Sequence, residues 1–271
     1  MTKLLIDGDV LVYRGALSAE YVYDWGDGWS DYQAHRESAK MFIDDSIHNL
    51  KETLETDDVI IALSDTEHNF RKDIYPDYKS HRKSDRRPIL YNFCRQHLID
   101  SYVTKIIPTL EGDDVLGILG TCDDQHTIIV SIDKDFKTVP CPYYNIDTET
   151  IIDPTPESAH EFHMIQTLMG DAVDGYSGCP GVGPKTALEA IQNKKKLVAY
   201  EHRLKSGKNK GQIVTRWSED FTSNLWDIVV SYYEKAGLTE EDALVQARLA
   251  RILHASDYDF KKKEVILWEP E

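Results

Sequence analysis

Three short apolar runs in this chain each stop at a carboxylate. Residues 3–6 end in Asp7-Gly8-Asp9, residues 59–63 run to Asp65, and residues 127–131 run into Asp133-Lys134-Asp135. Continuous rather than alternating hydrophobicity over so few residues fits a strand covered on both faces. Stretches of helical spacing lie between these runs; residues 38–54, for example, carry Ala39, Phe42, Ile43, Ile47 and Leu50 on one face. Strands alternating with helices predict a parallel α/β sheet. In open parallel sheets the crevice beyond the carboxyl ends of the strands takes the ligand, so these three ends predict an acidic, ligand-facing edge.

More acids follow the same habit. Glu111, Asp113 and Asp114 stand at the entrance of a helix predicted over 113–120, and Asp171 and Asp174 lie three residues apart in Gly170-Asp171-Ala172-Val173-Asp174. Taken singly, each motif also fits a turn or a helix cap, where Asp is favoured. Taken together, converging like charges repel unless divalent cations sit among them. Oxygen donors without His or Cys partners favour magnesium or manganese over zinc. Cys94, Cys122, Cys141 and Cys179 are scattered with no C-x-x-C pair, which argues against a zinc site or a disulfide framework. No run is long enough to span a membrane, so an intracellular protein with no membrane partner is expected. The net charge of −16 does not exclude a polyanionic substrate, because the basic residues gather in 71–87 and 194–216.

Two further stretches carry chemistry. Gly181-Val182-Gly183-Pro184-Lys185 reads as a glycine turn running into a helix. Its bare N–H groups and Lys185 would face an anion. In the segment 70–82, Tyr78 can stack on a base while Lys79 and Arg82 meet phosphate oxygens; the alternative is a solvated charged helix. The segment 20–36 has no clean period and reads as a loop or insertion. From 156 to about 253 the pattern is helical, broken by the glycine turn and by residues 205–210. The predicted organisation is an α/β domain over 1–165, with a basic arch at about 70–99, and a helical subdomain over 166–271.

These motifs occur in an order that resembles the 5′-nuclease family of flap endonucleases and bacterial-polymerase 5′–3′ exonuclease domains. The likeness rests on Ile6-Asp7-Gly8-Asp9, Phe70-Arg71 with Tyr78-Lys79-Ser80-His81-Arg82, Glu111-Gly112-Asp113-Asp114, Asp133-Lys134-Asp135 and the 170–187 stretch. The later Ser206-Gly207-Lys208-Asn209-Lys210 loop is similar to the replication exonucleases of short-tailed phages. Asp9 departs from the pattern, standing where many members carry a small polar residue.

The resemblance implies a PIN-like parallel sheet flanked by helices and a helical C-terminal subdomain with a helix-hairpin-helix-like (H3TH) element. It implies two or more Mg2+ or Mn2+ ions on Asp7, Asp65, Glu111, Asp113, Asp114, Asp133, Asp135, Asp171 and Asp174. Lys79, Arg82 and Arg14 would act on the scissile phosphate. Arg71, Tyr78, Gly181, Val182, Gly183, Lys185, Lys208 and Lys210 would contact DNA, with K+ at the 181–185 turn. The expected activity is 5′–3′ exonucleolytic and flap cleavage of duplexes with 5′ ends, nicks or flaps, RNA–DNA hybrids included. The expected setting is phage DNA replication by a monomer in the host cytoplasm.

Two alternatives stay open on the residues. One is a haloacid-dehalogenase-type phosphatase with Asp7 as nucleophile, Asp9 as acid/base and Asp171 and Asp174 as its magnesium loop. The other is a non-catalytic DNA-end binding module.

Overall fold

The computed structural model describes residues 2–81, 86–122 and 126–270. In chain order, β1 (Lys3–Asp7) leads into α1 (Gly8–Ser18), then β2 (Glu20–Gly26), β3 (Trp29–Ala34), α2 (Arg36–Thr53) and β4 (Val59–Ala62). The single turn α3 (Arg71–Ile74) precedes α4 (Tyr91–Ser101), β5 (Thr104–Lys105), α5 (Gly112–Gly120) and β6 (Thr127–Ser131). Next come β7 (Tyr143–Asn145), β8 (Thr150–Ile152), α6 (Pro156–Met169) and α7 (Pro184–Gln192). The chain finishes with β9 (Lys195–Arg203), β10 (Ile213–Phe221), α8 (Leu225–Lys235), α9 (Glu240–Ala250) and a two-residue pair, β11 (Tyr258–Asp259) and β12 (Glu264–Val265).

These elements divide into two compact units. The first holds the described residues up to Phe70, those from Arg86 to Pro156, and Ile252–Ile266. Its six-stranded sheet runs β5-β4-β1-β6-β7-β8, parallel except for the β7–β8 pair. Asp7 lies opposite Ala62, and Ile6 opposite Val130, so the carboxyl ends of β1, β4 and β6 finish level. On one face Leu4, Ile6, Ile61, Leu63 and Val130 pack against Val12 and Ala16 of α1, Ile43 and Ile47 of α2, and Leu98 of α4. Helix α5 packs against β1, β4 and β6, with Val115, Leu116 and Ile118 fully buried. The apolar runs thus became strands because both faces are covered. A mixed α/β fold with a central parallel sheet flanked by helices is what the strand–helix alternation predicts.

The second unit holds Arg71–His81, Glu157–Arg251 and the chain from Leu267. Its core joins Met164 and Leu168 of α6, Ile191 of α7, Trp226 and Val229 of α8, and Ala243 and Ala247 of α9. A smaller cluster of Tyr78, Tyr176, Leu249 and Ala250 fastens the 71–81 segment to it. No helix among the described residues is long and apolar enough to cross a membrane.

Two segments depart from the sequence reading. The supposed loop at 20–36 is the β2–β3 hairpin, turned at Asp27 and Gly28, both at positive φ. Asp-Gly is a strong hairpin signal. It was masked because Tyr23, Trp25, Trp29 and Tyr32 lie exposed, so no buried face produces an apolar–polar alternation. The helical pattern expected after 156 is likewise interrupted by the β9–β10 hairpin, whose tip holds Lys205, Lys208 and Lys210. Charged residues are scattered there among Val198, Tyr200 and Trp217, without a period, on strands that are mostly exposed.

Candidate active site

In the first unit Asp7 ends β1 and caps α1: its Oδ1 accepts from Val10 N at 3.1 Å and its Oδ2 from Ser131 Oγ at 2.8 Å. It is only 4 % exposed. Burial, and next the charge of Asp9, push its carboxyl up to about 7, against the hydrogen bonds from Ser131 and Val10; Asp133 adds further upward pressure. Such a group is short of positive charge. Asp133 follows β6, donates its N–H to Ser131 Oγ at 3.2 Å, and accepts Asp135 N at 2.8 Å. Ser131 therefore links Asp7 to the Asp133–Asp135 turn.

Asp65 accepts from Glu67 N at 3.0 Å and Thr109 N at 2.8 Å, and these bonds hold its carboxyl below the usual range. Glu111 and Asp113 flank the start of α5 and are half-buried. Asp114 is fully buried and accepts Glu111 N at 3.2 Å on one oxygen and Leu253 N at 3.2 Å on the other. That makes it a helix cap and strap, because both oxygens are turned to main-chain donors. Among the described residues no three His, Cys, Asp or Glu side chains are already gathered at ligand spacing.

In the second unit the loop 170–178 is closed at its base. Gly170 and Gly178 both adopt positive φ, and their backbones abut: a Cβ on Gly178 would lie 2.3 Å from Gly170 N, and one on Gly170 2.4 Å from the Ser177 carbonyl carbon. Cys179 N donates to Leu168 O and Gly178 N to Gln246 Oε1, each at 2.8 Å. Within the loop Asp171 accepts Val173 N at 2.7 Å and bridges to Tyr176. Gly178→Ala is expected to destabilise the protein by about 3 kcal/mol or more in urea titrations, combining backbone overlap with the left-handed conformation. Gly181→Ala shares the positive φ but meets nothing within 4 Å. It should cost only about 1–2 kcal/mol. Equal losses for the two would contradict the close crossing.

Lys79 and Asp174 meet on this loop. Lys79 Nζ stands 3.5 Å from Asp174 Oδ2 and 5.0 Å from the Tyr78 ring centroid, while Lys79 N donates to Asp174 O at 2.9 Å. Tyr78, expected to stack on a base, is instead 1 % exposed, with its hydroxyl donating to Asp174 Oδ2 at 3.0 Å. Arg71, expected on DNA, is 3 % exposed. Its Nε donates to Leu249 O at 3.2 Å and its Nη2 to Arg251 O at 2.5 Å. Both corrections share one cause. The charge and ring are spent inside the unit, fixing the Lys79 segment to α9.

The 181–185 turn is solvent-facing apart from the half-buried Val182. Gly183 caps α7, Pro184 takes its first position, and the exposed Lys185 makes a 3.9 Å surface contact with Glu189. Arg14 pairs with Asp147 at 2.6 Å on the surface of the first unit. Arg82 lies outside the described residues. The sequence reading missed Ser64 and Arg95, which lie beside the acids of the first unit. Neither sits in a motif, and no local pattern could have found them.

Residues 2–154 match the family model of the 5′–3′ exonuclease N-terminal resolvase-like domain. The chain is 36% identical to the exodeoxyribonuclease of Enterobacteria phage T3, over 98% of this chain and 92% of that protein. It is equally similar to the exonuclease of Escherichia phage T7, covering 98% of this chain and 93% of the other. This chain belongs to the 5′–3′ exonuclease family.

As a 5′–3′ exonuclease it is a nuclease, hydrolysing phosphodiester bonds. The phosphatase and end-binding alternatives find no support among these relatives. In the exonuclease Asp9 is also bound to Ser64 rather than open as an acid/base. Among solved structures, the T5 D15 protein co-crystallised with metal ions superposes with a TM-score of 0.59 at 17% identity, covering 93% of this chain and 90% of that one. A D15 flap endonuclease in a product-like complex with DNA and metal ions gives 0.57 at 15%, covering 93% and 89%. At that identity these likenesses speak for the exonuclease fold.

Proposed function

We propose that this exonuclease removes nucleotides from the 5′ ends of duplex DNA and cuts 5′ flaps, in a divalent-cation-dependent reaction. The observation that carries the reading is the meeting of Lys79 with Asp174. A basic-segment residue expected at the phosphate and an acid expected at a cation are held together by both main chain and side chain. The first unit's Asp7, Asp65, Glu111, Asp113, Asp133 and Asp135, and the second unit's Asp171 and Asp174, supply oxygen ligands for two or more Mg2+ or Mn2+ ions. Asp114, which also caps α5, is counted with them. The fit is chemical: hard oxygen donors, and at Asp7 a buried carboxylate crowded by like charge.

When bound, such ions activate water and stabilise the leaving 3′ oxygen, as in two-metal phosphodiester hydrolysis. Lys79, whose Nζ stands 3.5 Å from Asp174 Oδ2, would stabilise charge developing on the phosphoryl oxygens. Arg14 and Arg82 assist with phosphate. The bare N–H groups at the head of α7 and Lys185 hold the duplex backbone, with K+ at the 181–185 turn. These contacts read phosphate and carry no base information, so cleavage is sequence-tolerant. The reading extends to RNA in RNA–DNA hybrids, a monomeric enzyme, and work in phage replication in the host cytoplasm.

End-labelled duplex, flapped and RNA–DNA hybrid substrates test this. Magnesium-dependent release of mononucleotides from duplexes and of short fragments from flaps is expected, with none in excess chelator. Release that persists in chelator would sink the proposal. Reversing Lys185 to Glu should lower the salt dependence of duplex binding by about one unit of log–log slope. Reversing Lys208 and Lys210 together should lower it by about two. An unchanged slope for the latter pair would leave the β9–β10 tip as a solvated loop.

A further inference from the structure

Asp9 lies in the first turn of α1, facing the end of β4. Its Oδ2 accepts two hydrogen bonds from Ser64, one from N at 2.9 Å and one from Oγ at 2.5 Å. The same Oγ accepts Gly112 N at 2.8 Å, so the first N–H of α5 is held to Asp9 through one hydroxyl. Arg95 of α4 donates to Ser64 O at 2.7 Å, and its Nη1 faces Asp9 Oδ1 at 3.6 Å. That oxygen and that nitrogen are both shut off from water, and neither makes a hydrogen bond. The two side chains are partly exposed, yet their facing atoms form an ion contact shut off from water and without hydrogen-bond geometry.

Three elements meet here: the head of α1, the end of β4 and the start of α5, with α4 locked onto them. Asp7 lies two residues before Asp9, and Glu111 and Asp113 flank Gly112. We propose that Asp9, Ser64 and Arg95 form a positioning brace that sets the entrance of α5, and with it Glu111 and Asp113, against Asp7. Asp9 then acts as an anchor, not as a cation ligand. The inference rests on the reading of these acids as divalent-cation ligands. Groups that orient ligands matter nearly as much as the ligands, at about 10–100-fold in affinity or activity. The charge on Asp9 has its own purpose. Removing one partner leaves the other's facing atom shut off from water and uncompensated, whereas removing both is milder.

The test is Mn2+ titration by calorimetry on the full chain, with Asp7→Ala as reference. Asp9→Asn, Arg95→Gln and Ser64→Ala should each weaken Mn2+ binding by about tenfold with the number of bound ions unchanged. The Asp9→Asn/Arg95→Gln double variant should be no weaker than either single one, the non-additivity expected of a shared contact. Ser64→Ala keeps the ion pair and the Arg95 bond to the Ser64 carbonyl, so it reads the brace even where the charge variants fold poorly. Loss of one bound ion in Asp9→Asn would make Asp9 a ligand and overturn the brace. Wild-type Mn2+ affinity in all three variants would reduce it to a fold contact. If Asp7→Ala also bound Mn2+ normally, the cation reading itself would fall, which the titration distinguishes from either result.

Discussion

Lys79→Ala lowers the single-turnover cleavage rate by about 10²–10³-fold, while duplex affinity in calcium shifts by less than about threefold. The expectation follows from how the residue is held. Lys79 sits at φ 52 with its N–H bonded to the Asp174 carbonyl, so the turn survives loss of the side chain. Asp174 keeps the Tyr78 hydroxyl as a donor. What disappears is the one ammonium that, on the proposed function, acts at a phosphoryl oxygen. Its contribution grows as charge develops, which is why rate and not affinity carries the loss. Lys79→Arg should restore little, because a planar fork does not fill the same point. A rate within threefold of wild type would remove Lys79 from the chemistry.

Asp7→Asn should raise the melting temperature of the metal-free protein near neutral and alkaline pH while lowering cleavage by more than about 10³-fold. The sign follows from its raised carboxyl. Its folded value of about 7 lies above the ordinary carboxylate range, so the folded state holds the proton longer than the unfolded chain does. The stabilisation is therefore full below the ordinary carboxylate value and is lost as pH rises through about 7. Asparagine removes the charge that is lost into burial and that faces Asp9 and Asp133. The gain in melting temperature should vanish near about pH 4, where the wild-type group is already neutral. Added Mn2+ should stabilise the wild type much more than the variant. A melting temperature lowered by Asp7→Asn at alkaline pH would show that the carboxylate is not electrostatically frustrated.

The architecture was legible wherever burial is two-sided. The strands ending at Asp7 and Ser131 announced themselves because a covered strand has no choice but to be apolar along its length. The β2–β3 and β9–β10 hairpins escaped for the opposite reason: their side chains face water, and exposed aromatic or charged residues leave no period. Residue type likewise revealed chemistry but not direction. Tyr78 and Arg71 are the residues expected at a nucleic acid, yet one ring and one guanidinium face inward to the α9 side of their own unit. Asp114 shares a motif with Asp113 but turns its oxygens onto main-chain donors. Ser64 and Arg95 acquire meaning only from partners far away in sequence.

The crossing of Gly170 over Gly178 makes the loop between them a closed ring. Length changes inside a ring tied at its neck are absorbed by the ring, and the chain leaves at the same place. Residues 171–177 can therefore drift, lengthen or exchange acids without moving the α7 turn. A change in residues 179–183 moves that turn at once. On the proposed function, evolution has two separate dials on one short stretch: one for the acids assigned to the bond, the other for how far from that bond the intact duplex would be gripped. Homologues with altered cleavage positions should differ in the second and not the first.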